Sequence, residues 1–201
     1  VHSIFGIDKI DSGQIEILGK KIDKPTPGKC VKSGLGLLPE SRKENGLSLT
    51  LPIFQNTCQA AMEKVTKLGI LDLKKERQAS ENYIKQLNVV CTGPSVWPLY
   101  LSGGNQQKVV IGKWLFTESD VLIFDEPTRG IDVGAREEIY HIIDGLAQKG
   151  TAILVISSDL PEVLTISDRI YVMREGRIAG EIDYEDATQE LIMSYASGGR
   201  E

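Results

Sequence analysis

The sequence predicts an α/β fold, a core of parallel strands with a small helical insertion, and three observations carry that prediction. Leu101-Ser102-Gly103-Gly104-Asn105-Gln106-Gln107 reads as a polar, glycine-bearing turn that opens a helix, with Ser102 placed to cap it. Fourteen residues beyond Gln107 begins the apolar run Val121-Leu122-Ile123-Phe124, which ends in Asp125-Glu126. That is the pattern of a buried parallel strand delivering acids to its C-terminal edge. Leu35–Leu38 and Thr151–Ile156 are two further short apolar runs, and helical periodicity fills the chain between them.

The whole chain sets bounds on this reading. With 201 residues and 41% hydrophobic content it can build one well-packed domain with a subdomain. A net charge of −5 argues against nucleic acid as the main partner. Cys30, Cys58 and Cys91 are odd in number and form no C-x-x-C pair, as expected of reduced, structural thiols. No apolar run reaches the roughly 18 residues needed to span a bilayer, and no signal peptide is visible. Membrane association is therefore expected only through a partner protein.

Taken in order, Val1 to Gly6 reads as the end of a helix, and Asp11-Ser12-Gly13 is turn chemistry. Gln14–Ile22 alternates like a hairpin around Gly19-Lys20, and a short helix is expected from Gly28 to Ser33. Leu35–Leu38 is a buried strand that ends at Pro39-Glu40. From 48 to 100 the character turns helical, with helices near Ile53–Lys67 and Leu71–Leu87. Ser80, Tyr83, Ile84 and Leu87 lie on one face of the latter, and Gly93-Pro94 and Trp97-Pro98 mark the return. Val110, Ile111, Trp114 and Leu115 give the next helix a packing face, with Trp114 in the core. Ala135–Gln148 stacks Ile139, Ile142, Ile143 and Leu146 on one stripe, leaves His141 solvated and stops before Gly150. Thr151–Ile156 is expected to be a buried strand. Arg169–Met173 and Arg177–Ile182 form a hairpin around Glu175-Gly176, and a last helix near Thr188–Ala196 precedes a frayed Ser-Gly-Gly-Arg tail.

At a helix N-terminus the unpaired N–H groups and the positive end of the dipole make a seat for a phosphate, and Gly103 and Gly104 let one approach without meeting a Cβ. LSGGNQQ at 101–107 resembles the signature motif of ATP-binding cassette (ABC) ATPases, VLIFDEPT at 121–128 their Walker B strand, and Gly130-Ile131-Asp132 their D-loop. Pro39–Lys43, Glu126–Ala135 and Ile156–Val163 resemble the second cassette of the duplicated ATPases that power bacterial importers of the ribose, galactose and xylose type. The resemblance runs from about Phe5 to Gly199. It implies a P-loop NTPase-like core from 1–47 and 101–201, with 48–100 as a helical subdomain that carries the surface meeting the transmembrane subunit. One part is missing. No G-x-x-x-x-G-K-[ST] phosphate loop occurs in the sequence, since none of the Gly-Lys pairs has the required flanks. The chain starts at Val1 without a methionine, so an excised fragment is expected, with the loop just before Val1.

The resemblance also assigns roles. ATP hydrolysis needs phosphates held, charge neutralised by Mg²⁺ and a water aimed in line. Asp125 would hold the Mg²⁺ shell, Glu126 would polarise the attacking water as general base, and Asp132 would cross an interface toward a partner's nucleotide. Ser102, Gly103, Gly104 and Asn105 would present the signature to ATP gripped by the partner cassette, Asn105 replacing the commoner glutamine. Two departures bear on hydrolysis. Glu40 stands where the family usually has a glutamine near the magnesium and the water, which adds negative charge beside the phosphates. Ser158 stands where a histidine usually contacts the γ-phosphate, and a serine can carry no positive charge. The site built on this cassette is therefore expected to be a poor hydrolase, and the fragment alone inactive. The implied partners are a first cassette of the same polypeptide, transmembrane permease subunits and, indirectly, a periplasmic or extracellular sugar-binding protein, at the cytoplasmic face of the inner membrane, with no nucleic acid. Two rival readings are a soluble ABC-type ATPase of DNA repair or translation, and a non-hydrolysing regulatory cassette. The first would call for long coiled-coil insertions or a basic surface, and neither is visible.

Overall fold

The computed structural model describes residues 1–198, so Gly199 and Arg200 of the expected tail lie outside the described residues. The chain divides into two compact units, Val1–Ile156 and Ser157–Glu201. The first opens with α1 (His2–Phe5), whose C-cap Gly6 is left-handed at φ 78°. A small hairpin follows, β1 (Glu16–Ile17) and β2 (Lys20–Lys21). Its turn is Leu18-Gly19, with φ 51° and 73°, one residue earlier than the Gly19-Lys20 expected, because two positive φ values are what a tight hairpin needs. Helix α2 (Pro27–Lys32) is capped by Thr26 Oγ1 and leads into β3 (Leu35–Leu38), buried at every residue.

The expected helix Ile53–Lys67 does not run its full length. Helix α3 (Ile53–Cys58) gives way to a 3-10 stretch, Gln59–Val65, in which Ala61 leaves helical geometry at φ −148°. The break lets Ala61 and Val65 join Cys58 and Phe116 in one buried cluster, so packing overrides local propensity. Strands β4 (Thr66–Lys67) and β5 (Ile70–Leu71) then form a hairpin that the helical pattern hid. The next helix, α4 (Leu73–Gln86), starts after Leu71 because Asp72 caps it, its Oδ1 accepting from the amides of Lys74 and Lys75 at 3.1 Å each. Ser80 and Leu87 are buried and Tyr83 and Ile84 half-buried, as the expected face requires.

Helix α5 (Gly103–Phe116) is the axis of this unit. It packs against β3, α3 and α4, and it is buried nearly all round, well beyond the one face anticipated. Trp114 is core, edge-on to Phe5 with ring centroids 5.6 Å apart. After it, β6 (Val121–Asp125) takes the middle of a three-stranded parallel sheet, Leu35 pairing with Val121 on one side. Helix α6 (Val133–Ala147) buries Ile139, Ile143 and Leu146 and exposes His141. It ends where Gly150, at φ 92°, lets Thr151 N–H donate to the Leu146 carbonyl at 3.1 Å. Strand β7 (Ala152–Ile156) pairs with β6 from Val121↔Ala152 to Asp125↔Ile156. It is not the buried strand expected: every residue is exposed or half-exposed, because β7 lies at the sheet's edge, bonded to β6 on one side.

The second unit has its own small core. Helix α7 (Leu160–Ile166), with Pro161 in its first turn, precedes the hairpin β8 (Arg169–Arg174) and β9 (Arg177–Asp183), which turns at Glu175-Gly176 as expected. Helix α8 (Gln189–Ser197) closes Ile192 over Ile170, Val172 and Ile182, with Thr188 as N-cap and Gly198 as left-handed C-cap. Among the described residues no helix is long and apolar enough to cross a membrane.

Candidate nucleotide site at the ends of α5 and β6

The start of α5 is built from short polar side chains that fold back on the chain. Ser102, exposed, has an extended backbone at φ −61° and ψ 160°, and its Oγ accepts from Asn105 N–H at 3.4 Å and Asn105 Nδ2 at 2.9 Å. Asn105 Oδ1 accepts from Val90 N–H at 2.8 Å, which ties the end of the helical stretch to the helix start. The two glycines have an internal reason to be glycines. A Cβ on Gly104 would lie 2.5 Å from Ala135 Cβ, and one on Gly103 would lie 2.8 Å from Arg42 Nη2. Both face α6 or the Arg42 side chain, a demand that adds to the phosphate argument made from sequence.

At the other end, β6 carries its apolar run through the core and stops at two half-buried acids. Burial pushes the Asp125 carboxyl above the ordinary range; His2 opposes this, and the neighbouring Glu126 adds to it. Glu126 continues the ladder through its N–H to the Ile156 carbonyl at 2.8 Å, but with a left-handed backbone at φ 49°. A non-glycine residue in that region costs about 1 kcal/mol, and such positions cluster at functional sites. The turn then closes with Arg129 N–H on the Glu126 carbonyl at 3.2 Å. Asp132 is exposed and caps α6, its Oδ1 accepting from Ala135 N–H at 3.0 Å.

Glu40 and the loop after β3 meet this same region. The Glu40 carboxylate pairs with the Arg129 guanidinium, both groups largely exposed, so the acid is engaged by a cation of the chain itself. Residues 42–46 form a single wide turn in which Gly46 N–H reaches the Ser41 carbonyl at 3.1 Å. Its first residue, Arg42, donates to the carbonyls of Arg129 and Gly130, and it was not among the residues singled out from sequence. The stretch Pro39–Lys43 carries part of the family resemblance, but nothing local gives this arginine a role until the partner loops are placed in space. Ser158 belongs to the second unit, exposed on the loop before α7, where Ser157 Oγ accepts from Asp159 N–H at 3.0 Å.

The residues present suit a divalent cation in a particular way. Among the described residues no three His, Cys, Asp or Glu side chains cluster as a protein-only metal cage. A half-buried Asp125 beside Glu126, held above its usual pKa by desolvation, fits a cation that shares its ligands with a bound phosphate, which is how Mg²⁺ is commonly held.

Residues 1–129 match the ABC transporter family. The chain belongs to that family, as one of its ATP-binding domains. The ribose import ATP-binding protein RbsA of Bacillus subtilis is 46% identical over 200 residues, 100% of this chain and 41% of that protein. Its namesake from Oceanobacillus iheyensis is 48% identical over 99% of this chain and 40% of its own length. A putative ribose/galactose/methyl galactoside import ATP-binding protein of Burkholderia cenocepacia is 46% identical over 98% of the chain and 38% of its own. The chain thus spans about two fifths of the length of these curated relatives. Among solved structures, a nucleotide-free ATP-binding cassette from an ABC transporter superposes with a TM-score of 0.76 at 23% identity, over 98% of this chain and 78% of that one. A dimeric cassette in a post-hydrolysis state with ADP and Pi gives 0.74 at 20% identity, over 91% and 78%. At those identities the likeness establishes the ABC ATPase fold alone.

Proposed function

We propose that this chain is the second cassette of a two-cassette ATPase that drives sugar import. Its main catalytic service is to present Ser102, Gly103 and Gly104 to ATP gripped by the other cassette. The observation that carries this is the exposed, internally braced helix start at Ser102, on the buried helix that the strand running into Asp125-Glu126 follows in the chain. The names of the relatives, ribose and ribose/galactose importers, support the substrate class. Permease subunits, and through them a sugar-binding protein, are the partners at the cytoplasmic face of the membrane. The stretch 48–100 is the helical subdomain that meets the permease.

In this reading Asp125 holds Mg²⁺, which supplies positive charge to the transferring phosphoryl group. The chain's own residues do the rest. Glu126 polarises water at the β6 end, and Asp132 stands at the cassette interface while capping α6. Glu40 and Ser158 replace the usual glutamine and histidine, so this cassette's own site turns over poorly, and the paired arrangement relies on the partner's. In the two-cassette protein Ser102→Arg should lower ATP turnover by more than about 100-fold. Glu126→Gln should reduce it less than the same change in the partner cassette's acid. Equal losses from the two acids would overturn the asymmetry, and so would Glu126-dependent ATP hydrolysis by this chain alone.

A further inference from the structure

The Arg42 guanidinium stands where three segments meet. Nη1 donates to the Arg129 carbonyl at 2.8 Å, Nη2 to the Gly130 carbonyl at 3.0 Å, and Nε reaches Gln106 Oε1 at 3.4 Å. Gln106 passes the connection on, its Nε2 donating to the Pro98 carbonyl at 2.9 Å. One side chain from the turn after β3 therefore joins the loop that follows the two acids to the first turn of α5. Hydrogen bonds from a charged donor are the strong kind, and the planar fork of arginine suits two successive carbonyls as no other side chain does.

The surroundings are shaped around this contact. A Cβ on Gly103 would come within 2.8 Å of Nη2 and 3.3 Å of the Gly130 carbonyl oxygen, so the first glycine after Ser102 leaves room for the fork. The Glu40 carboxylate holds the Arg129 side chain, a second strap between the same two loops. Farther along α5, Lys113 Nζ donates to the Gly46 carbonyl, so the 42–46 turn is fastened to that helix at both ends.

We infer that Arg42 is a positioning residue for ATP turnover: it fixes the 129–132 loop against the Ser102 turn, so that both meet the partner cassette's nucleotide in one register. This rests on the function proposed above. Arg42 acts through backbone carbonyls and Gln106, and its effect is geometric. A misplacement of about 1 Å at groups that orient a reaction can lower the rate by about 100-fold.

The test compares Arg42→Ala and Arg42→Lys in the two-cassette protein by steady-state ATP turnover and by amide hydrogen exchange. For Arg42→Ala, kcat should fall about 10- to 100-fold while KM for ATP stays within about twofold. Lysine, a point donor, should recover only part of the loss. Exchange should quicken at 129–132 and 103–106 and stay slow in β6. Unchanged kcat despite quickened exchange overturns the inference, and so does quickened exchange throughout β3, β6 and α5, which would make Arg42 a general prop of the fold. A protein with Arg42 intact whose turnover survives Ser102→Arg would instead strike at the proposed function, and the exchange measurement would still judge the clasp.

Discussion

The start of α5 and the end of β6 both belong to elements that run through the core, yet they are finished in opposite ways. At α5 the polar atoms are engaged within the chain: Ser102 with Asn105, Asn105 with Val90, and Gln106 with Arg42 and Pro98. At β6 the acids sit under electrostatic and backbone load, with the Asp125 carboxyl raised by burial and Glu126 in a left-handed conformation. In the function proposed above, the α5 start is offered to another body, and internal hydrogen bonds fix the shape of such a surface beforehand. The β6 end is, in that same function, the one that takes up a cation and a phosphate, and desolvated acids are what such a site uses.

The largest expected effect that sharpens this contrast lies on α5 itself, where Lys113 is buried. Desolvation lowers its pKa from the ordinary 10.5 to about 8. Below about pH 8 both folded and unfolded chains carry the proton; between 8 and 10.5 the unfolded chain binds more, so stability rises with pH there. The rise should reach up to about 3 kcal/mol in urea unfolding between pH 7.5 and 10.5. Lys113→Met should remove it from the difference between the two profiles, and parallel profiles would show that this helix carries no buried charge load.

Next in size is Gly104→Ala, which should destabilise by about 1–3 kcal/mol in the same assay, since the new methyl meets Ala135 Cβ at 2.5 Å. Gly134→Ala, one residue from that contact but with 3.7 Å of room, should change stability by no more than about 0.5 kcal/mol. Similar losses at both would mean that close helix packing does not set the Gly104 requirement. Asp132→Ala should cost about 1 kcal/mol through the lost cap, and Asp132→Asn close to nothing, by thermal melting. The smallest effect belongs to Glu40→Gln: an exposed ion pair with Arg129 contributes at most about 1 kcal/mol, fading with added salt. A larger, salt-insensitive loss would place Glu40 in the braced class rather than the loaded one.

Much of this was legible in the chain. The runs at 35–38 and 121–124 read as buried strands because they are short, apolar and bounded by turn or acidic residues, a pattern that suits a strand in the core. The 169–183 hairpin was visible in its Glu175-Gly176 turn and α5 in its Ser102 cap. The α3 break at Ala61, the 66–71 hairpin and the exposure of β7 were not legible, because each depends on what packs or pairs from elsewhere. The Arg42 clasp escaped for the same reason, its partners lying 64, 87 and 88 positions away.

The sequence by itself determined the fold class, the order of most of the elements outside 59–71 and the identity of the motif residues, since cap chemistry, apolar period and turn residues act within a few positions. Only the tertiary structure decided that Gly103 and Gly104 are pressed by Arg42 and Ala135, that Asp125 is burdened by burial, and that one guanidinium bridges two loops. Desolvation and close packing are set by neighbours in space, and a chain read along its length does not contain those distances.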